Sequence, residues 1–324
     1  MDVSKYAVGP DSYDVLSRAQ ISKFFTANAP CTRDQCDELA GKLLGGPASA
    51  TPMQGGSSYT VEREEAPKVV QFRDLPIDMN RFELVQQIYR EFVPQCVYHG
   101  TLGSLHVYIW NRISGPAFCR VRREMFKTDA PGMEQRLRQT IQDFARFFAL
   151  GWINRPTSES LPVGLQEEYV ATLDKLSSTL PENLQPVINE VRQDLHLLFR
   201  PDFPIALQHA DLLENNIHVE EATGHITGVV DWAEAFIAPF GISLGGAEIL
   251  LGIQTYTDWH FHPSHVDMRQ LFWDTFYNEI GEVSELDRRS IEVARLMGLL
   301  ERNGFEENGN SGVYLERLIF LNKK

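Results

Sequence analysis

The stretch from Leu207 to Glu234, LQHADLLENNIHVEEATGHITGVVDWAE, constrains this chain more than any other. Ile217-His218-Val219 and Ile226 to Val230 are two short apolar runs joined by Glu-Glu-Ala-Thr-Gly-His. β-Branched residues on either side of a Gly-containing turn predict a hairpin. His209-Ala210-Asp211-Leu212, with Asn216, leads into the first run, and Asp231-Trp232 leaves the second. A tight hairpin therefore brings Asn216 and Asp231 to one end of the same small sheet. Asn-rich loops beside hairpins are also ordinary turn chemistry, with an Asp as turn or cap residue. A second motif in the right order is needed to tip the reading toward function.

That order is present. His-x-Asp-Leu-x-x-x-Asn, followed across a hairpin by Asp, is the pattern of phosphoryl-transfer enzymes of the protein-kinase type. The chemistry needs few groups: a carboxylate to accept or orient the proton of an attacking hydroxyl, and an amide oxygen and a second carboxylate to hold magnesium across nucleotide phosphates. Asp211 fits the first role, and Asn216 and Asp231 the second. His209 braces the loop from below and does not act on substrate. HADLLENNI and ITGVVDWAEA together resemble the aminoglycoside phosphotransferase/choline kinase-like enzymes, whose form reads His-Gly-Asp-Leu-x-x-x-Asn and then Asp-Trp. Pairing of the QFR segment at Gln71-Phe72-Arg73 with DWAEAFIAPFG brings the resemblance closest to the fungal small-molecule branch. Ala210 stands where that family has Gly, a change of little cost unless the backbone there needs positive φ. The resemblance implies an α+β, bilobal protein-kinase-like fold, with a small, mostly antiparallel β N-lobe and a larger helical C-lobe. It also implies ATP and Mg²⁺ as cofactors and a small-molecule acceptor.

Upstream, residues 11–45 read as two helices, opened at Asp11-Ser12-Tyr13 and Thr32-Arg33-Asp34 and stopped by Gly45-Gly46-Pro47. They are expected to pad the outside of the first lobe. Pro52 to Ser58 then reads as a loop between two strands, and Gly55, Gly56, Ser57 and Ser58 allow backbone amides to approach phosphates. It is neither a Walker loop nor a full G-x-G-x-x-G, and a plain hairpin turn is the alternative. Lys68 to Arg73 is the next strand, with Val69, Gln71 and Arg73 on one face. By resemblance Arg73 takes the role of the kinase Lys, offering a fork to phosphate oxygens. The helix from about Met79 to Phe92 carries Glu83 as its ion-pair partner, with Glu91 the competitor. Leu105 to Trp110 is an apolar strand running into the expected interlobe hinge, where adenine would bond backbone groups of Trp110, Asn111 and Arg112. The expected division is a helical extension at 1–34, an N-lobe at 35–111 and a C-lobe at 112–324.

In the C-lobe, helices are expected at about Met133–Leu150, Leu165–Ser177, Glu182–Leu198, Gly245–Gly252, Met268–Ile280 and Ser290–Leu300. Glu234, just after the Asp-Trp pair, is a candidate substrate-facing acid. Trp232, Tyr256 and Trp259 are candidate walls of an acceptor pocket. His260, His262 and His265 lie on a Pro-containing loop without ligand geometry for a metal.

Composition narrows the partners. The net charge is −14, from 30 Lys and Arg against 44 Asp and Glu, which argues against nucleic acid or an anionic membrane. No apolar run approaches a membrane span, and the N-terminus lacks a secretory pattern. Four irregularly spaced cysteines read as free thiols in a reducing compartment, hence a cytoplasmic protein. The expected function is an ATP/Mg-dependent phosphotransferase acting on a hydroxyl of a small molecule, with amine-containing compounds and secondary metabolites as the acceptor classes. The alternative is a kinase-fold protein without phosphotransfer, either a biosynthetic enzyme such as a cyclase or a nucleotide-binding pseudokinase.

Overall fold

The computed structural model describes residues 2–305 and 311–320; residues 1, 306–310 and 321–324, which fall in the expected extension and C-lobe, lie outside the described residues. A 3-10 turn at Ser4–Tyr6 precedes α1 (Pro10–Ala27) and α2 (Arg33–Leu44). Pro10 at the first helical position suits α1, because its missing N–H would be unpaired there anyway. α2 opens with a capping box: Thr32 accepts from the Gln35 amide, and the Gln35 side chain accepts from the Thr32 amide.

Five antiparallel strands with one helix among them complete the N-lobe. They are β1 (Ser49–Ala50), β2 (Ser58–Glu62), β3 (Lys68–Arg73), then α3 (Met79–Tyr89), β4 (Cys96–Leu102) and β5 (Leu105–Asn111), in the sheet order β1-β2-β3-β5-β4. Alternation along β2 and β3 gives the sheet two unlike faces. Tyr59, Val61, Val70 and Phe72 pack in a small core with Phe24, Cys36, Ala40 and Leu44 of the first two helices. Ser58, Thr60, Glu62, Val69, Gln71 and Arg73 point the other way, into a cleft. β4 carries no apolar periodicity, since its Val97 and Tyr98 are exposed, and so gives no strand signal in the sequence.

Asp78 caps α3 by accepting from the Asn80 and Arg81 amides. This helix packs on the C-lobe: Phe82, Val85, Ile88 and Tyr89 belong to the large core, and the Tyr89 hydroxyl donates to the Leu207 carbonyl at 2.5 Å. The lobes are joined through Gly115 at φ 77°, where a Cβ would lie 2.0 Å from the Val219 carbonyl oxygen. Only glycine permits that approach.

The C-lobe begins with α4 (Phe118–Met125), α5 (Met133–Ile153), α6 (Leu165–Thr179) and α7 (Gln185–Asp194). Next, β6 (Ile205–Gln208), β7 (Ile217–Val219), β8 (Ile226–Val229) and β9 (Phe236–Pro239) form two nested antiparallel pairs, β7 with β8 inside β6 with β9. The predicted helix at 245–252 is instead a 3-10 segment, Ile242–Leu250, and the loop after it holds a short hairpin of β10 (Gly252–Gln254) and β11 (Trp259–Phe261). Adjacent Gly245 and Gly246 weaken the α-helix there and let the backbone lie close against Leu299 and Leu212. α8 (His265–Ile280), α9 (Glu285–Asn303) and α10 (Ser311–Phe320) complete the lobe. Its core is aromatic, with Phe144, Phe148 and Phe272 in edge-to-face contact. Among the described residues no helix is long and apolar enough to cross a membrane.

The N-terminus does more than pad the first lobe. Val3 and Ala7 are buried in the C-lobe core, and Tyr6 stacks on His260 with ring centroids 3.6 Å apart. From there α1 crosses to the N-lobe. The architecture is the expected α+β, bilobal kinase-like one.

Candidate active site

The floor of the cleft is built by the β7–β8 hairpin. Ile217 pairs with Val229, and the Val230 amide donates to the Asn216 carbonyl at 2.9 Å. Asn216 and Asp231 consequently stand together at one end, and both line the cleft. Asn216 is buried; its Nδ2 donates to the Asp211 carbonyl at 2.7 Å, and its Oδ1 accepts from Asn215 at 3.2 Å. Asp231 has φ 66°, a left-handed conformation that costs a non-glycine residue about 1 kcal/mol or more. Asp tolerates it better than most residues.

His209 ties the 209–216 loop to this hairpin. Its Nε2 lies 2.7 Å from the Val230 carbonyl oxygen, and its Nδ1 accepts from the Asp211 amide at 3.1 Å. That pairing requires the neutral ring with its proton on Nε2. Burial agrees, holding the His209 pKa below its ordinary 6.5. The ring is buried edge-on to Trp232, so it acts on the backbone of the loop and away from the cleft. Asp211 itself is half-exposed, 53% by side chain, with one oxygen 3.7 Å from Nη2 of Arg302 on α9.

The roof is the polar face of the sheet. Arg73 is buried, 8% exposed by side chain, and its Nη1 lies 3.7 Å from Asp231 Oδ1 across the cleft. Its Nε has no hydrogen-bond partner among the described residues. A buried guanidinium so thinly compensated is unfavourable unless an anion completes its shell. Gly55 and Ser58 of the expected phosphate loop line the cleft, whereas Gly56 and Ser57 form its exposed tip. The enclosed volume is 830 Å³, ample for a nucleotide.

Several expected positions differ. Glu83 is exposed on α3 and makes no ion pair with Arg73; Glu91 is exposed as well. α3 instead reaches the segment after Asp231 through Arg81, whose Nη1 donates to the Ala235 carbonyl at 3.1 Å, and through Tyr89, which packs against Trp232. The cation's acidic partner is thus Asp231, a group the sequence could not rank by distance. At the hinge, Trp110, Asn111 and Arg112 line the cleft, but the Asn111 and Arg112 amides already donate to the Gln95 and Pro67 carbonyls, both at 2.8 Å. Ile113 and Ser114, one and two residues further on, also line the cleft, and there the chain has left the sheet.

The expected acceptor walls fare less well. Trp232 lines the cleft beside Asp231 but is otherwise core: its indole donates to the Val229 carbonyl at 2.9 Å, and its ring packs on Tyr89 and His209. Trp259 is buried against Gly252, and neither it nor the exposed Tyr256 lines the cleft. Glu234 is exposed just beyond Asp231. The three histidines serve packing, His260 on Tyr6, His262 on Phe126 and His265 on Phe261. Among the described residues no group of three or more His, Cys, Asp or Glu could hold a metal by itself.

Sequence reading missed Arg122, Arg302, Arg120 and Gln54. Arg122 is buried; it pairs with Glu214 of the 209–216 loop at 2.7 Å and donates to the Ile249 carbonyl at 2.6 Å and to the Gly252 carbonyl. It lies in a charged run, RVRREM, that looks like a solvated helix. The strongly amphipathic spacing of that run was the available signal.

Magnesium fits the donors present. It prefers hard oxygen ligands and takes few from protein, filling its shell with phosphate and water oxygens. Asn216 Oδ1 and the Asp231 carboxylate, 50% exposed by side chain, supply such oxygens opposite the under-compensated Arg73.

Known proteins share this architecture. A choline/ethanolamine kinase family protein from Mesorhizobium loti is similar, with 16% identity over 95% of this chain and 93% of that chain and a TM-score of 0.50. An ethanolamine kinase from Plasmodium vivax has 12% identity over 97% and 94% of the two chains, TM-score 0.49. A type VIII aminoglycoside-3'-phosphotransferase has 18% identity over 82% and 97%, TM-score 0.47. At 16% identity the likeness to the Mesorhizobium loti protein is one of fold. No curated protein matches. The model of the phosphotransferase enzyme family matches residues 83–247, more than half of the 324-residue chain and all of the stretch from His209 to Asp231, and the chain belongs to that family.

Proposed function

We propose that the chain is an ATP- and magnesium-dependent phosphotransferase that moves the γ-phosphoryl group to a hydroxyl of a small molecule. The observation that carries this is the meeting of Asp211, Asn216 and Asp231 at one end of the β7–β8 hairpin, opposite a buried Arg73 that lacks a full set of partners. Asp211 receives the proton of the acceptor hydroxyl as its oxygen bonds to the γ-phosphorus. The bond from that phosphorus to the β–γ bridging oxygen breaks, and ADP leaves. Arg73 and the loop at Gly55 and Ser58 hold the phosphates. Asn216 and Asp231 hold magnesium, which when bound screens the charge on the phosphate oxygens. His209 keeps the Asp211 backbone in place.

The adenine edge meets the hinge backbone, with Ile113 and Ser114 better placed than Asn111 and Arg112, whose amides are spent in the sheet. The acceptor approaches Asp211 from its solvent side, near Arg302 and α9. Hydroxylated amines and neutral secondary metabolites are the acceptor classes we favour, since the net charge of −14 repels polyanions. Four free thiols and the absence of disulfides in the sequence reading favour the cytoplasm. The test is ADP release from Mg²⁺ and ATP with a panel of hydroxylated amines, choline-like alcohols and aminoglycosides. Turnover with one class, reduced about 100-fold or more in Asp211→Asn, supports the reading. Acceptor-stimulated turnover that survives in Asp211→Asn contradicts it.

A further inference from the structure

The loop over the phosphate end of the cleft is held from outside the N-lobe sheet. Ser17, buried on α1, donates through Oγ to the Pro52 carbonyl at 2.9 Å and accepts from the Gln54 amide at 3.3 Å. One hydroxyl thus clasps both sides of Met53. Gln54, also buried, locks the base of the loop: its Nε2 lies 2.8 Å from both the Thr51 hydroxyl and the Thr60 carbonyl, and its Oε1 accepts from the Thr60 amide at 3.0 Å. α1 is in turn anchored on the C-lobe. Asp14 pairs with Arg120 of α4 at 2.7 Å, and the segment before the helix packs through Val3, Ala7 and the Tyr6–His260 stack. Arg120 itself lines the cleft. A chain of contacts therefore runs from the C-lobe, along α1, to the loop that faces the nucleotide phosphates.

We propose that α1 is a strap that sets the height of the phosphate loop over the catalytic loop, with Ser17 as its positioning residue. The proposal rests on the nucleotide reading above. A glycine-containing loop that orders only on binding charges its lost entropy against ligand affinity; a loop ordered in advance does not. Ser17 moves that cost into folding. Removing its hydroxyl returns the cost to binding, and two hydrogen bonds of ordinary net strength correspond to a loss of about five- to 100-fold in affinity.

The test uses the full chain and three proteins: wild type, Ser17→Ala and Ser17→Thr. Amide exchange over residues 51–58 is measured without ligand, and dissociation constants are measured for ATP with Mg²⁺ and for adenosine. The strap predicts faster exchange at the loop in Ser17→Ala, about five- to 100-fold weaker ATP binding with adenosine binding unchanged, and recovery of both in Ser17→Thr. Unchanged exchange in a folded Ser17→Ala protein overturns it. So does equal weakening of ATP and adenosine, which marks a general loss of structure. If wild type binds neither nucleotide, the functional reading fails, and exchange at the loop still decides whether α1 holds it.

Discussion

Asn216 and Val230 share a backbone hydrogen bond, 2.9 Å from the Val230 amide to the Asn216 carbonyl, while the Val230 carbonyl accepts from His209 at 2.7 Å. The residue before Asp231 is thereby held at its amide by Asn216 and at its carbonyl by His209, the two ends of the 209–216 loop. The loop and the segment at Asp231 cannot shift independently, which fixes the spacing of Asp211, Asn216 and Asp231 before any ligand arrives.

His209→Ala breaks that grip. It leaves the Asp211 amide and the Val230 carbonyl without their buried partner, so a loss of about 2 to 4 kcal/mol in unfolding free energy is expected by urea denaturation. The pH dependence has a definite sign. Burial keeps the native His209 pKa below 6.5, so the unfolded state binds more protons just below that pH. His218 and His262 are shifted the same way by burial. Their contribution is complete above pH 6.5 and declines as pH falls toward the native values. Between pH 7.5 and 5.5, wild type is expected to lose more stability than His209→Gln.

Asp231→Gly separates stability from function. Glycine relieves the left-handed strain at φ 66° but adds backbone entropy to the unfolded chain. The exposed carboxylate contributes little to the fold through a 3.7 Å pair with Arg73. A melting temperature within about 3 °C of wild type is expected, together with loss of magnesium-dependent ATP binding. A drop of 10 °C or more would instead make Asp231 a structural residue.

Arg73→Met should behave in the opposite way to an ordinary buried-pair mutation. The guanidinium is buried and its Nε unpartnered, so an apolar replacement of similar length is close to neutral for the ligand-free protein. ATP affinity should fall about 10- to 100-fold, measured by calorimetry. Destabilisation of the ligand-free protein by several kcal/mol with intact ATP binding would mean that Arg73 is a purely structural ion-pair member.

Arg122→Ala removes the link between Glu214 and the carbonyls of Ile249 and Gly252. With that carboxylate and two carbonyls left partly buried, about 3 kcal/mol of stability should go. Arg122→Lys should recover only part, because one ammonium cannot span three acceptors set in a fork.

Much of the floor of this site was legible in the sequence, because it is local. His209, Asp211, Asn216 and Asp231 lie within 23 residues, and hairpin periodicity alone brings the last two together. The cleft face of β3 was equally readable from alternation. Relationships that depend on docking were not. Whether Arg73 meets Glu83 or Asp231 is decided by the rotation of α3, which its own sequence does not specify. Trp259 looked like a pocket wall and is core instead, because large aromatics are ambiguous between core and site until their neighbours are known. α1 carries little amphipathic pattern, its hydroxyl contact to the loop spans 35 residues, and nothing in the sequence of either partner announces it.

The most direct test of the central claim is the melting temperature with ATP, with and without Mg²⁺, in wild type and in Asp231→Asn. A ligand that binds only the native state raises it by mass action, about 2.7 kcal/mol at 100 times the dissociation constant. Stabilisation by ATP that requires Mg²⁺ in wild type and is absent in Asp231→Asn is the expected result. Equal stabilisation of both proteins, or none by ATP or GTP with any divalent metal, would contradict a metal–nucleotide site built on Asn216 and Asp231.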